Sequence, residues 1–277
     1  RLTAVEAGIR YANRYDLVLV ELAKDTTVAA VFTRNAFCAA PVQVAREHLR
    51  QHAPRYLLIN TGNANAGTGE QGLRDARDSC RAVAELARVE AGQVLPFSTG
   101  VIGEPLPVDR LVDGLPAAFG SLRDHAWEQV ARGIMTTDTR PKSATSTLYL
   151  PDGEVRISAV AKGAGMIKPN MATMLAFVFT DAAIDRSLLN ELLQSAVDKS
   201  FNRITVDGDT STNDCCVLAA TGRSGVTLSA ADQESLQRFR DSLDSICRDL
   251  ATQLIRDAEG ASKFITIEIR GGASVDE

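Results

Sequence analysis

Long hydrophobic runs and an excess of positive charge are both missing from this 277-residue sequence. The longest apolar stretch, Met171 to Phe179, is far shorter than the roughly 20 residues that a transmembrane helix needs. Thirty basic and 35 acidic residues give a net charge of -5, without the basic excess typical of proteins that bind nucleic acid. Neither a membrane nor a nucleic acid is therefore expected as a partner.

Paired cysteines and clustered histidines are missing as well. The five cysteines are odd in number and include no C-x-x-C pair, which excludes a disulfide framework and a zinc site. Reduced thiols are typical of the cytosol or an organellar matrix, and a cytoplasmic location is expected. The three histidines (His48, His52 and His125) lack the spacing of metal ligands. The sequence thus predicts no metal, no cofactor and no histidine-based catalyst.

The sequence does contain alternating strand and helix patterns. With 45% hydrophobic residues, 20 Gly and nine Pro, the chain is an ordinary globular sequence that is long enough for a sizeable core. Strands are predicted at 16–22, 27–32, 56–60, 155–161 and 174–180. Helices are predicted at 41–49, 73–89, 108–119 and 124–134. The alternation indicates an α/β protein.

The C-terminal third adds two helices and a strand to this pattern. Asp185 is predicted to cap a helix whose leucines share one face. Ser229 followed by Asp232 approximates a capping box, and a long amphipathic helix should follow it. Isoleucines alternate at 265, 267 and 269, which predicts a strand with one buried face.

A glycine-rich loop at 67–72 matches the G-x-G-x-x-G pattern of dinucleotide-binding sites. Six residues separate the preceding strand from Gly67, where the nucleotide fingerprint requires a tight turn. The next strand ends at Gly100 without a carboxylate that could hold a ribose. A loop that only turns the chain is the favoured interpretation.

Residues 207–214 form a second polar segment, with Asp at alternating positions as in a calcium loop. The glycine and the glutamate that such a loop needs at its sixth and twelfth positions are missing. Dense hydroxyls and carboxylates usually build a rigid hydrogen-bonded turn. Such a turn could support an active site from behind.

Thr173 stands where a glycine-rich segment, 161–170, leads into the apolar run 174–180. From the pattern alone, this is a loop that enters a buried strand. The alternative is a nucleophilic threonine at the head of the strand. A Thr hydroxyl needs a base, and the free α-amine of the same residue can serve once the Ala172–Thr173 bond is cut. Its pKa of about 7.7 to 8 suits proton transfer near neutral pH.

The residues around Thr173 decide between these two readings. Lys162-Gly163-Ala164-Gly165-Met166-Ile167, Pro169 and Met171-Ala172-Thr173-Met174-Leu175 resemble the self-cleavage motif of the ornithine acetyltransferase family, the glutamate N-acetyltransferases of arginine biosynthesis. Further segments resemble the family in the same order, at 16–17, 30–33, 60–66, 98–103, 135–139, 202–214 and 257–261. The resemblance covers essentially the whole chain and favours the nucleophile.

The resemblance implies a role for each matching site residue. Thr173 would cut the Ala172–Thr173 bond and then accept acetyl from N-acetylornithine, which glutamate removes as N-acetylglutamate. Thr99 and Gly100 would form the oxyanion hole, a hydroxyl and a backbone N–H. The substrate-binding residues would be Thr136 (with Thr137 as the alternative), Lys162, Thr173 and Glu259.

The family also implies a layered α/β sandwich divided by the cleavage into fragments 1–172 and 173–277, which form one intertwined unit. Two such pairs would assemble into a heterotetramer. Whether acetyl-CoA is a second acetyl donor stays open. Family members continue beyond Glu277 with further substrate-binding residues, and residues 274–277 resemble a helix start. The chain is therefore expected to stop short of a natural C-terminus.

Two other functions compete with the acetyltransferase. An N-terminal-Thr amidohydrolase or aminopeptidase would use the same nucleophile, with water as the final acceptor. A non-enzymatic nucleotide-binding module would use the loop at 67–72. The fate of the acetyl group distinguishes the amidohydrolase or aminopeptidase from the acetyltransferase. A nucleotide-binding measurement tests the nucleotide-binding module.

Overall fold

The computed structural model describes residues 1–168 and 174–271. The strands in these ranges are β1 (Leu2–Val5), β2 (Leu17–Glu21), β3 (Thr27–Phe32), β4 (Tyr56–Asn63), β5 (Val94–Val101), β6 (Lys142–Leu150), β7 (Gly153–Lys162), β8 (Leu175–Thr180), β9 (Ala183–Ile184), β10 (Cys215–Ala220) and β11 (Thr227–Leu228). The helices are α1 (Ala40–Gln51), α2 (Gly69–Ala87), α3 (Val108–Gly120), α4 (Trp127–Gly133), α5 (Arg186–Asp198) and α6 (Gln233–Arg256).

The longer strands form two mixed sheets. The first sheet has the order β1-β2-β4-β5, in which only β4 and β5 are parallel. The second has the order β3-β10-β8-β7-β6, in which only β10 and β8 are parallel. The short strands β9 and β11 form a separate parallel pair.

The two sheets pack face to face between two layers of helices. On β2, Val18 and Val20 point to the interface between the sheets, while Leu17 and Leu19 point to α2 and α3. The second sheet buries its other face against α5 and α6. Both faces of the central strands are therefore apolar, and each fully buried Leu or Val contributes about 1.5 to 3 kcal/mol. The predicted layered α/β fold is confirmed.

Most of the predicted elements occur at the predicted places, and the cap of α5 is confirmed in detail. The Asp185 carboxylate accepts hydrogen bonds from Ser187 N at 2.8 Å and Leu188 N at 3.0 Å. The predicted cap of α6 at Ser229 is wrong. Asp232 caps this helix instead, accepting from Ser235 N at 3.1 Å.

The strand predicted from the alternating isoleucines is also wrong. Residues 261–270 have no regular secondary structure, and Ile265, Ile267 and Ile269 are 74 to 82% exposed. Alternation predicts a strand only where another strand and a core receive it. The part of the chain that the structure describes places neither a partner strand nor a core beside these residues.

Strand β8 has a central place in the second sheet. It pairs with β7 on one side and β10 on the other, over six residues each. Met174, immediately before β8, is 1% exposed. The head of this strand is thus anchored inside the molecule. Among the described helices, none has the length and apolar character that crossing a bilayer requires.

Candidate active site

A cavity of about 800 Å³ opens where the ends of β5 and β7 meet the loops that follow them. Its walls come from seven separate parts of the chain, at 10–16, 61–64, 99–102, 136–137, 162–166, 207–213 and 259. All the predicted site residues that the structure describes line it: Thr99, Gly100, Thr136, Lys162 and Glu259. The predicted cleavage site, Ala172 and Thr173, lies outside the described residues.

Thr99 and Gly100 stand at the end of β5, where it runs parallel to β4. Gly100 has φ +140°, and a Cβ on it would collide with the backbone of Gly62 and Asn63. Glycine is therefore required for the two strands to approach so closely. Thr99 is 7% exposed, and its Oγ1 accepts a hydrogen bond from Lys162 Nζ at 3.1 Å. Because the hydroxyl accepts this bond, its own proton is free for another partner.

We expect Gly100→Ala to destabilise the protein more than a glycine replacement in open space. The variant combines backbone strain with a backbone collision, so its free energy of unfolding should fall by at least about 2 kcal/mol. Gly103→Ala is the matched control, since Gly103 also has positive φ (+83°) but no atom near its Cβ position. Urea unfolding of both variants measures the difference, and equal losses would contradict the prediction.

Lys162 ends β7 and is 4% exposed. Burial lowers the pKa of Lys162 because desolvation disfavours the ammonium, while the carboxylates of Asp138, Asp214 and Glu259 oppose this effect. The ammonium form of this side chain is therefore poorly hydrated, and it lies beside the Thr99 hydroxyl. Such a charge binds an anionic substrate group strongly, since little water competes for it.

Thr136 and Thr137 both line the cavity, with Thr136 half-buried and Thr137 exposed. The Thr136 N–H donates to Asp138 Oδ2 at 3.0 Å. Arg14 Nη2 donates to the carbonyls of Met135 at 2.6 Å and Thr136 at 2.8 Å. The backbone of this segment is thus held by side chains on both of its sides.

Glu259 follows α6 and lies at the mouth of the cavity. Its N–H donates to the carbonyl of Ala164 at 2.7 Å. Its carboxylate lies against Gly165, where a Cβ would be 3.0 Å from both carboxylate oxygens. The side chain is exposed, so its charge can meet a cation that enters from solvent.

The turn at 207–214 supports the cavity, as predicted. The Asp207 carboxylate accepts from the N–H groups of Met166 and Ile167, the latter at 3.0 Å. Asn213 Nδ2 donates to the carbonyls of Ala64 at 2.7 Å and Ser98 at 2.9 Å. The turn therefore ties the glycine-rich segment before Thr173 to the ends of β4 and β5.

Asp214, the last residue of this turn, holds the residue that follows Thr173. Its Oδ1 accepts from Met174 N at 2.9 Å, and its Oδ2 has no hydrogen-bond partner within the described ranges. Burial raises the pKa of Asp214 well above its usual value. Asp214 is thus a buried carboxyl group with a raised pKa, and it is hydrogen-bonded to the residue that follows Thr173 in the sequence.

Sequence reasoning missed a buried group of charges behind the cavity. Lys142 Nζ donates to Asp138 Oδ1 and to Asp257 Oδ2, both at 2.6 Å. Asp138 stands within a segment that resembles the family, but nothing in the sequence links it to Asp257, more than 100 residues later. The pairing becomes visible only in the folded chain. Within residues 1–168 and 174–271, no group of three or more His, Cys, Asp or Glu residues is arranged to hold a metal ion.

The glycine-rich segment at 67–72 agrees only in part with the favoured interpretation, because Gly67 and Thr68 turn the chain whereas residues 69–72 form the first turn of α2. Thr68 Oγ1 donates to Asn65 Oδ1 at 2.8 Å, and Asn65 Nδ2 donates to the carbonyl of Gly72 at 2.9 Å. A Cβ on Gly72 would collide with both of these side chains. The third glycine of the pattern therefore allows the first turn of α2 to pack closely against Asn65 and Thr68.

Comparison with known proteins gives the same family as the residues of the cavity. The sequence pattern of the ArgJ family matches residues 1–277. Over all of this chain, the arginine biosynthesis bifunctional protein ArgJ of Methylococcus capsulatus is 56% identical and that of Pseudomonas fluorescens 49%, with 68% of each relative covered. The predicted resemblance is thereby confirmed, as is the predicted class of enzyme, an acyltransferase of arginine biosynthesis.

Solved structures agree with the fold. The ornithine acetyltransferase of Mycobacterium tuberculosis, solved with ornithine, is 36% identical with a TM-score of 0.57, over 61% of this chain and 90% of that chain. An aminopeptidase of Ochrobactrum anthropi, described as a variant of the Ntn hydrolase fold, has a TM-score of 0.55 over 94% of this chain and 85% of that one. At 10% identity it shows the fold alone. On its sequence and its structure, the chain belongs to the ArgJ family.

Proposed function

We propose that this protein transfers the acetyl group of N-acetylornithine to glutamate through an acetyl ester on Thr173. The main support is the cavity itself, which brings Thr99, Lys162 and Glu259 together from distant parts of an ArgJ-family chain. Met174, covalently bonded to Thr173, is held by a buried carboxyl group behind this cavity. The products are ornithine and N-acetylglutamate.

The nucleophile is made by self-cleavage. The Thr173 hydroxyl attacks the carbonyl carbon of Ala172, the peptide bond to nitrogen breaks, and water hydrolyses the resulting ester. Ala172 is left with a carboxylate and Thr173 with a free α-amine, whose pKa of about 8 suits a general base. Pairing of β8 with β7 supports the view that fragments 1–172 and 173–277 stay together.

Acetyl transfer then proceeds as two similar half-reactions. The Thr173 hydroxyl gives its proton to the α-amine and attacks the acetyl carbonyl of N-acetylornithine, and ornithine leaves as the amine. Glutamate then attacks the ester with its own amine and leaves as N-acetylglutamate. In both steps the oxyanion is stabilised by the Thr99 hydroxyl and the Gly100 N–H, each commonly worth about 3 to 4 kcal/mol.

The charges in the cavity suit these substrates. Both carry an α-carboxylate, which the buried ammonium of Lys162 can pair, with Thr136 as a further contact. N-acetylornithine also carries a δ-ammonium, which the exposed carboxylate of Glu259 can pair. Glutamate has no cation at that place, so Glu259 discriminates between the two half-reactions.

Acetyl-CoA as a second donor and a heterotetramer of two cleaved pairs are further parts of the proposal. The word bifunctional in the names of the relatives supports a second activity. Resemblance to the family supports the heterotetramer and a cytoplasmic location. Incubation with labelled acetyl-CoA and glutamate tests the second donor, and sedimentation of the native protein tests the assembly.

The decisive experiment follows the acetyl group. The protein is incubated with N-acetylornithine labelled in the acetyl group, with and without glutamate, and the products are separated by mass spectrometry. Label in N-acetylglutamate supports the transferase. Release of labelled acetate at the same rate with and without glutamate would identify an amidohydrolase and overturn the proposal.

A further inference from the structure

A buried ion cluster lies behind the substrate side of the cavity. Lys142 Nζ is 2.6 Å from Asp138 Oδ1 and 2.6 Å from Asp257 Oδ2. The side chains of all three residues are 0 to 2% exposed. A buried ion pair is costly to desolvate, and apolar replacements are often neutral or stabilising. Stability alone therefore gives little reason for charges at this place.

The hydrogen bonds of the cluster show what it holds. Asp138 accepts from the backbone N–H of Thr136 at 3.0 Å and from that of Gly163 at 2.7 Å. Asp257 accepts from Thr139 N at 3.0 Å and from its hydroxyl. The cluster thus joins three segments of the chain, and each segment carries one proposed substrate residue.

Asp138 is also the main counter-charge of Lys162. Burial lowers the pKa of Lys162, and Asp138 opposes this more strongly than any other group. Asp214 and Glu259 act in the same sense as Asp138, whereas Lys142 lowers the pKa further.

The three carboxyl groups differ in what they can supply to Lys162. Burial raises the pKa of Asp214, which favours its neutral form. Glu259 is exposed, so water screens its charge. For Asp138, burial alone raises the pKa, but the charges of Lys162 and Lys142 together with the hydrogen bonds from Lys142 and the Thr136 N–H bring the pKa below its usual value. Asp138 is therefore the buried carboxyl group near Lys162 whose pKa lies below its usual value.

We propose that Asp138 is a positioning residue of the acetyl transfer reaction: it fixes the backbone at Thr136 and Gly163 and is the buried counter-charge of Lys162. The inference rests on the proposed function, in which the charge of Lys162 binds the carboxylate of the substrate. A protonated Lys162 pairs the substrate carboxylate and donates to Thr99 Oγ1, which leaves the Thr99 proton for the oxyanion. A neutral Lys162 would lose the first interaction and weaken the second.

Asp138→Asn tests both parts of the proposal. The new amide group cannot accept at both of its ends, so one backbone N–H loses its partner and kcat/KM should fall about 5- to 150-fold. Loss of the negative charge lowers the pKa of Lys162 further. Its ammonium is then lost at lower pH, so the alkaline limb of the pH profile of kcat/KM should move to lower pH.

Two variants of the same cluster act as controls. Asp257→Asn also removes a carboxylate partner of Lys142 but leaves the charge of Asp138 in place, so the alkaline limb should not move to lower pH. Lys142→Met removes a positive neighbour of Lys162, so the limb should move to higher pH. This opposite shift keeps the proposal open to refutation even if Asp138→Asn does not fold.

A second readout does not depend on turnover. The side-chain ammonium signal of Lys162 in ¹⁵N-labelled protein, assigned with Lys162→Met, is titrated by NMR in the wild type and in each variant. The titration should move to lower pH in Asp138→Asn and to higher pH in Lys142→Met. Unchanged titrations in both variants, or equal shifts for Asp138→Asn and Asp257→Asn, would overturn the inference. Absence of acetyl transfer by the wild type would instead refute the proposed function.

Discussion

Replacement of Thr173 by Ala is expected to leave one uncut chain of 29.7 kDa that transfers no acetyl group. The hydroxyl is needed twice, first to attack the Ala172 carbonyl and then to accept acetyl. Without cleavage the α-amine that serves as the base is also missing. Loss of a nucleophile and its base together should reduce the rate by about 10⁴-fold or more. Intact mass and the labelled-acetyl assay measure the two effects.

Two variants make this result specific. Thr173→Ser keeps a hydroxyl and should retain part of both cleavage and transfer. Thr227→Ala removes an exposed hydroxyl on β11, remote in sequence, and should behave as the wild type. If Thr173→Ala were still cut between residues 172 and 173, an external protease would be responsible and the self-cleavage mechanism would be wrong.

The central strands could be predicted from the sequence because both of their faces are apolar. In β4, Leu57 and Ile59 pack between the sheets, while Tyr56 and Leu58 pack against the helices. Such a strand is a short continuous apolar run, which the sequence shows directly. Strand β6 was not predicted, because polar residues alternate along most of it and only its last residues suggest a core.

The pairing of the strands could not be predicted. Strands β2 and β3 are neighbours in sequence, but they lie in different sheets. In the second sheet, β3 pairs with β10, almost 200 residues later. Local patterns decide whether a segment is extended, whereas partners are chosen by packing over the whole chain. The layer order was predicted only through the resemblance to a family.

The residues of the site could likewise be predicted only in part. Thr99, Lys162 and Glu259 could be named because each stands in a segment that resembles the family, and the structure brings all three to one cavity. Lys142 stands in no such segment, and Asp257 stands in one without any sign of its role, since a lone Lys or Asp in a sequence is usually at the surface. Their burial depends on one another, and this is a property of the fold.

The second prediction concerns recognition of substrate charge. Lys162→Ala should slow both half-reactions, because each substrate would bring an α-carboxylate into a site whose buried cation is gone. Truncating one partner of such a pair costs about 2 to 5 kcal/mol, or roughly 30- to 5,000-fold. Lys263→Ala, which removes an exposed ammonium, is the control and should leave both rates unchanged.

Glu259→Gln should instead act on one half-reaction, because it removes the charge that pairs the δ-ammonium and nearly preserves the size of the side chain. Formation of the acetyl-enzyme from N-acetylornithine should slow, while its discharge by glutamate should change little. The exposed position of Glu259 makes the expected loss smaller than that for Lys162, about 1.5- to 5-fold. Rapid-quench measurement of the two steps separates them. Equal losses in both steps would contradict the ammonium assignment, and would point to a role of Glu259 in holding the glycine-rich segment through Ala164 and Gly165.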